Sequence, residues 1–179
     1  LKGIYRIARS ESTNCPRVRL IGSGSILREA LRAKTILEEK YQVAAEVFSA
    51  TSYLQLRRDA LSVERHNRLH PEDVPQQAYI SSVFDESDAP VIASSDYVKA
   101  VPDQIARWVK APYVTLGTDG FGMSDTREVL RRHFEIDAEF IVVTALHELA
   151  KLGTLPLSVV SSAISTLGID PEKWDATIL

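Results

Sequence analysis

Apolar residues along the 179-residue chain fall into two rhythms, short β-type runs alternating with stretches of helical spacing. Residues 3–8 read as a strand, and Val18-Arg19-Leu20-Ile21 is a β-rich run stopped by Gly22-Ser23-Gly24-Ser25. Ile26, Ala30, Ala33 and Leu37 then share one helical face, with Arg28, Glu29, Arg32 and Glu39 off it. Residues 44–49 form the next strand pattern. Tyr53, Leu56, Ala60 and Val63 mark a helix that ends at His70-Pro71, because proline disfavours helical geometry in the residue before it. Residues 90–93 and 113–117 are further strands, separated by a weaker helix over 96–108. Strands separated by helices of this length imply crossover connections, and hence a largely parallel sheet covered on both faces.

After Gly122 the pattern becomes helix upon helix, over 127–134, 137–152 and a last segment with Pro156 near its start and Gly168 at its end. The second of these sets propensity against period. Phe140-Ile141-Val142-Val143-Thr144 has strand composition, yet Val142, Ala145, Leu146, Leu149 and Leu152 form one stripe, with Thr144, His147, Glu148 and Lys151 on the opposite one. Period outweighs a context-dependent β preference, and a helix is predicted. The last helix turns Leu157, Val160, Ile164 and Leu167 inward, and Asp170-Pro171 caps a final turn. The expected fold class is α/β: one domain over residues 1–179, a three-layer α/β/α sandwich with a mostly parallel, mixed sheet of about five strands and a helical C-terminal part.

Composition narrows the function classes. Twenty-one Lys and Arg against 24 Asp and Glu leave a net charge of −3, without the basic excess of a nucleic-acid binder. The lone Cys15 excludes an internal disulfide framework and suits a reducing, cytoplasmic setting. No apolar run approaches the ~20 residues that span a bilayer, so no membrane partner is expected. The chain opens at Leu1 rather than Met and enters a strand almost at once, as a piece cut from a larger polypeptide would.

Candidate chemistry is sparse. The Gly22–Ser25 turn joins a strand to a helix, where backbone amides can hold an anion, but Leu27 occupies the third glycine position of a dinucleotide fingerprint. The alternative is a tight turn with Ser25 as helix cap. Thr118-Asp119-Gly120-Phe121-Gly122-Met123-Ser124-Asp125 follows a strand and opens a helix, which puts it at the carboxyl edge where open α/β sheets bind ligands. Its glycines permit positive φ, with strain on Gly122→Val expected if Gly122 adopts it, and Ser124 or Asp125 caps the helix with Glu128 placed for a reciprocal bond. His66 and His70 have metal-helix spacing, but Asn67 stands where a metalloprotease helix needs Glu. His147 belongs to a polar stripe, His133 lies near a helix end, and Cys15 has no evident activating base.

Further likeness lies in longer runs. Gly22-Ser23-Gly24-Ser25-Ile26-Leu27, Glu64-Arg65-His66-Asn67-Arg68-Leu69-His70-Pro71, Ala93-Ser94-Ser95-Asp96-Tyr97, the stretch from Leu116 to Asp125, Phe134-Glu135-Ile136-Asp137-Ala138 and Glu148-Leu149-Ala150-Lys151 together resemble the C-terminal domain of the homodimeric, bacterial type of pyruvate dehydrogenase. The wider superfamily is the transketolase C-terminal type, whose Phe-Gly-x-Ser signature is similar to Phe121-Gly122-Met123-Ser124. The resemblance implies a parent that decarboxylates pyruvate oxidatively with thiamine diphosphate and Mg²⁺, and passes the acetyl group to the lipoyl group of a dihydrolipoyl acetyltransferase. It also implies that cofactor and catalytic residues belong to other domains. The family's diphosphate motif runs Gly-Asp-Gly and ends in a downstream Asn. Here Thr118 replaces the first glycine, and Asn14 and Asn67, the only asparagines, both precede the stretch. No catalytic, cofactor-binding or metal residue carries over, and the isolated chain is expected to bind neither group and to be inactive.

The expected role is assembly with the preceding domains and the second subunit, through Gly120, Phe121, Gly122, Ser124 and Asp125. Tyr53, Tyr79, Tyr97, Trp108 and Trp174 are either interface anchors or core residues, and Phe121 is open to the same two readings. The alternatives are a free-standing α/β binding or oligomerisation module and a small metal-dependent hydrolase using His66 and His70.

Overall fold

In the computed structural model, which describes residues 2–85 and 87–177, strands β1 (Ile4–Ala8) and β2 (Arg17–Gly22) lead into helix α1 (Leu27–Tyr41). Strand β3 (Ala44–Ala50) and helices α2 (Tyr53–Leu69) and α3 (Tyr79–Val83) follow. Then come β4 (Val91–Ser94), the single turn α4 (Ala100–Asp103) and β5 (Tyr113–Leu116). Helices α5 (Arg127–His133), α6 (Ala138–Lys151) and α7 (Leu157–Thr166) complete the C-terminal part. Leu1, on which the reading of a cut start partly rests, lies outside the described residues.

The sheet order is β1-β3-β2-β4-β5, with β3, β2, β4 and β5 parallel and β1 antiparallel at the edge. It is the mixed, mostly parallel five-strand sheet that the alternation of runs predicts. Strand alternation divides the core in two. Val18, Leu20, Ala45, Val47 and Ile92 meet α1, α6 and α7 on one face. Ile21, Phe48, Ala50, Val91 and Ala93 meet α2, α3 and the 105–111 segment on the other. The two clusters make the expected three layers.

Helix α6 resolves the conflict between composition and period. Four β-branched residues in a row cost a helix about 0.5 kcal/mol each. Burying Ile141, Val142, Leu146 and Leu149 stabilises it by about 1.5–3 kcal/mol apiece, and burial wins. Asp137 caps the helix by accepting from Phe140 N–H. Burial pushes the Asp137 carboxyl above its ordinary value, against the pull of that N–H and of Arg132. Gly168, at φ 65°, closes α7, and Asp170 turns the chain by accepting from Glu172 N–H.

Several expectations are corrected. The helix over 96–108 reduces to α4 and a 3-10 turn at Ala106–Trp108, because Pro102 has no N–H to bond back to Val98. Helix α3 had no periodic signal in five residues. Leu152 and Leu157 are exposed rather than inward, whereas Glu29 and Glu148, placed by period on polar faces, are buried. Glu148 accepts from Lys151 on its own helix and lies 3.6 Å from His147.

Glu29 ties three helices together. From α1 its carboxylate accepts from Arg131 of α5 at 2.8 Å, from Arg32 at 2.7 Å and from the Ala138 amide that opens α6 at 3.2 Å. A second buried charge pair lies beneath the other face. Arg19 stands 3.5 Å from Glu46 across β2 and β3 and donates to the carbonyls of Phe84 and Ser87. Removing one partner of a buried set leaves the others desolvated and unpaired. Glu29→Ala is therefore expected to lower stability by about 1–3 kcal/mol, read as a lower urea midpoint at unchanged slope. An unshifted midpoint would mean that the network adds nothing net.

Candidate functional site

The carboxyl edge of the sheet is built from the ends of β2, β3, β4 and β5. Strand β2 sends the chain to α1 on one face, while its neighbour β4 sends it to α4 on the other. Outgoing chains part there, as they do where open α/β sheets form clefts. Ser23 Oγ donates to Ser95 Oγ at 2.9 Å across this parting. Ser25 caps nothing. A 3-10 turn at Gly24–Ile26 intervenes before α1, and Ser25 Oγ donates instead to Asp96 at 3.1 Å. The correction follows from Asp96, an acceptor supplied by the loop after β4 and invisible to local pattern.

Two clefts flank this crossing. One, of about 550 Å³, is lined by Ser23, Ser49, Ser52, Tyr53, Leu54 and Tyr97 among others. The other, of about 440 Å³, runs between Ser25, Asp96, Thr118, Arg127 and Phe134. The second holds the Ser25–Asp96 pair just described, and no histidine lines either cleft. Cys15 lies at the opposite edge, in a cavity beside Glu38, and a carboxylate does not activate a thiol. His66 and His70 stack at 4.5 Å on the open end of α2, and no group of three metal-ligating side chains forms among the described residues.

Segment 118–125 is stitched to the β4 end by backbone bonds. Thr118 N–H donates to Tyr97 C=O at 3.0 Å, Thr118 Oγ1 to Asp96 C=O at 3.1 Å, and Lys99 N–H to Asp119 Oδ1 at 2.8 Å. Asp119 thus orders the entry to α4. With a carboxylate oxygen so engaged, and no asparagine downstream, the residues here do not fit a thiamine diphosphate–Mg²⁺ site.

Gly120, Phe121, Gly122, Ser124 and Asp125 are all exposed. Phe121 is 79% exposed, so it is no core residue. The cap of α5 is neither Ser124 nor Asp125. Thr126 accepts from Val129 N–H, Asp125 accepts from Thr126 N–H, and Glu128 merely adds charge to the first turn. Positive φ falls on Gly120, at 100°, rather than on Gly122. A Cβ on Gly120 would sit 1.9 Å from the carbonyl oxygen of Ala176, which crosses over it. The C-terminal tail that makes this crossing was not foreseen, since nothing in its sequence announces a contact some fifty residues away.

The five aromatics divide. Tyr53 is buried and forms part of one cleft wall, where burial pushes its hydroxyl up, while Tyr79 and Trp108 are half-buried. Tyr97 and Trp174 are exposed and lie at this edge with Val98 and Met123. Sequence reasoning singled out neither Val98 nor Met123 as a surface residue.

Comparison with known proteins adds a lineage. Residues 3–137 match the family of transketolase-like TK C-terminal domains. The chain is 45% identical to the pyruvate dehydrogenase E1 component of Pseudomonas aeruginosa over 97% of its own length and 20% of that protein. It is 47% identical to that of Escherichia coli K12 over 96% of its length and 19% of that protein, and 41% identical to that of Mycolicibacterium smegmatis over 95% and 18%. The likeness is to the C-terminal part, and the chain spans about a fifth of these relatives. Transketolases of Leishmania mexicana and Campylobacter jejuni share the fold, with TM-scores of 0.56 and 0.52. Their identities are 21% and 18%, over 87% and 82% of this chain and 19% and 18% of theirs.

The Gly120 geometry yields a test. Gly120→Ala is expected to cost at least about 1–3 kcal/mol, from positive φ and the Ala176 carbonyl together. Gly122→Val, with open space around its Cβ, should stay within about 0.5 kcal/mol. Equal melting temperatures for the two variants would mean that the tail does not hold the loop.

Proposed function

This chain belongs to the family of transketolase-like C-terminal domains, and on that premise we propose that it is the C-terminal structural and assembly domain of a homodimeric pyruvate dehydrogenase of the bacterial type. The observation that carries the proposal is continuous identity of 41–47% along nearly the whole chain to enzymes about five times as long. In this reading the parent, a cytoplasmic enzyme, decarboxylates pyruvate oxidatively with thiamine diphosphate and Mg²⁺ held by the preceding domains. It then passes the acetyl group to the lipoyl group of the dihydrolipoyl acetyltransferase. This domain supplies a rigid body and a docking loop, and it has no catalytic activity alone.

The physical support is that the start of the carboxyl-edge loop is held by hydrogen bonds while apolar side chains farther along it stay exposed. The Thr118 amide donates to Tyr97 C=O, the Asp119 carboxylate accepts from the Lys99 amide and the Ala176 carbonyl lies over Gly120, while Phe121 and Met123 are exposed. Ordering an apolar surface loop costs conformational entropy and gains little unless something later covers it.

Two measurements test the reading. Calorimetry of the isolated chain with thiamine diphosphate and Mg²⁺ is expected to show no saturable binding, and a stoichiometric micromolar complex would overturn the assignment of the cofactor to other domains. Phe121→Asp should leave the isolated chain folded by circular dichroism, with a stability change within about 0.5 kcal/mol, because the ring contributes little to the core. In the full-length parent the same change should weaken assembly or activity. A folded fragment beside a fully assembled, fully active parent would remove the docking role.

A further inference from the structure

We infer that the carboxyl-edge patch of Leu54, Tyr97, Val98, Phe121, Met123 and Trp174 is where the upstream polypeptide of the same parent chain folds back onto this domain. The inference rests on the proposed reading of the chain as a C-terminal domain, and names the partner and extent of its docking surface.

The members of the patch are tied to the same edge of the sheet. Leu54 and Tyr97 line one cleft, Tyr97 C=O accepts from Thr118 N–H, and Ala176 lies over Gly120, next to Phe121. Phe121, Trp174 and Tyr97 are 79%, 76% and 62% exposed. Single exposed apolar residues are ordinary, but three aromatics gathered on one ordered edge mark an interaction surface. Trp174 is held there as part of the fold. Beside it Lys173 Nζ donates to His133 C=O at 2.6 Å and to Glu135 at 3.1 Å, and beyond it Ala176 is buried against Gly120.

The direction of β1 identifies the occupant. Because β1 runs antiparallel to β3, its first residue, Ile4, pairs with Ala50 at the carboxyl end of that strand. Gly3 C=O accepts from Thr51 and Ser52 N–H at 2.8 and 3.1 Å, at the start of α2 and beside Leu54. Everything that precedes this domain therefore joins it at the same edge of the sheet as the patch. In relatives of which this chain spans about a fifth, that upstream part is most of the polypeptide. A tethered segment meets the patch intramolecularly, so a modest apolar surface is enough to hold it.

The test uses the full-length parent with a photo-crosslinking residue at single positions: Phe121→benzoylphenylalanine, Trp174→benzoylphenylalanine and Tyr97→benzoylphenylalanine. After illumination, denaturing electrophoresis should show product at single-chain mass, with crosslinked peptides mapping upstream of residue 1. Product at twice that mass would assign the surface to the second subunit and overturn the inference. An upstream crosslink from position 121 alone would overturn the extent of the patch while leaving the assembly reading intact. Crosslinks from none of the three would overturn the inference, and with normal assembly of the parent carrying Phe121→Asp they would overturn the assembly reading as well.

Discussion

The fold depends on one constraint, that its central strands are apolar in both directions. Val18 and Leu20 of β2 point one way and Ile21 the other, and β4 repeats the pattern with Ile92 set against Val91 and Ala93. A sheet apolar on both faces is stable only when helices cover both, which forces crossover connections and parallel strands. All outgoing loops of the parallel strands are then delivered to one edge. The antiparallel β1 brings the incoming chain to that edge too, and the position of the candidate surface follows from this arrangement alone.

Charge is used inside this frame to fix relative positions. Apolar faces slide and rotate with little penalty, whereas Glu29 has three specific donors on α1, α5 and α6 and tolerates little displacement of any of them. Arg19 and Glu46 do the same across β2 and β3, with Arg6 and Arg9 joining from the chain on the β1 side. Such sets contribute more to uniqueness of arrangement than to net stability, because each charge first loses its water. Helix α5 has no buried side chain of its own, and the Arg131–Glu29 contact is what places it at the head of α6. Placing α5 in turn places the loop that precedes it.

At the carboxyl edge, side-chain hydrogen bonds tie the ends of different strands together. Asp96 accepts from Ser25, Asp119 from the Lys99 amide and Ser95 from Ser23 and Tyr97, while the Tyr97 and Phe121 rings stay exposed.

Periodicity alone was enough for the strands, the three long helices α1, α2 and α6, the helical C-terminal part and the sandwich, because each long element repeats its signal over several turns or alternates cleanly between faces. It was enough for α6 even against β-rich composition, since a stripe across fourteen residues reports burial directly. The motif at 118–125 was legible as an edge loop for the same reason, lying between a clear strand and a clear helix. Most of what failed was set by groups distant in sequence. Ser25 turned to Asp96, Glu29 was drawn inward by Arg131, and Ala176 came to lie over Gly120, which holds the positive φ. The α5 cap on Thr126, by contrast, was a local miss by one or two residues. Whether Phe121, Tyr97 and Trp174 faced core or solvent was likewise beyond any pattern, for an isolated aromatic in a loop carries no period. Local sequence dictates repeating backbone geometry, while a side chain's destination depends on which other segment the tertiary fold brings beside it.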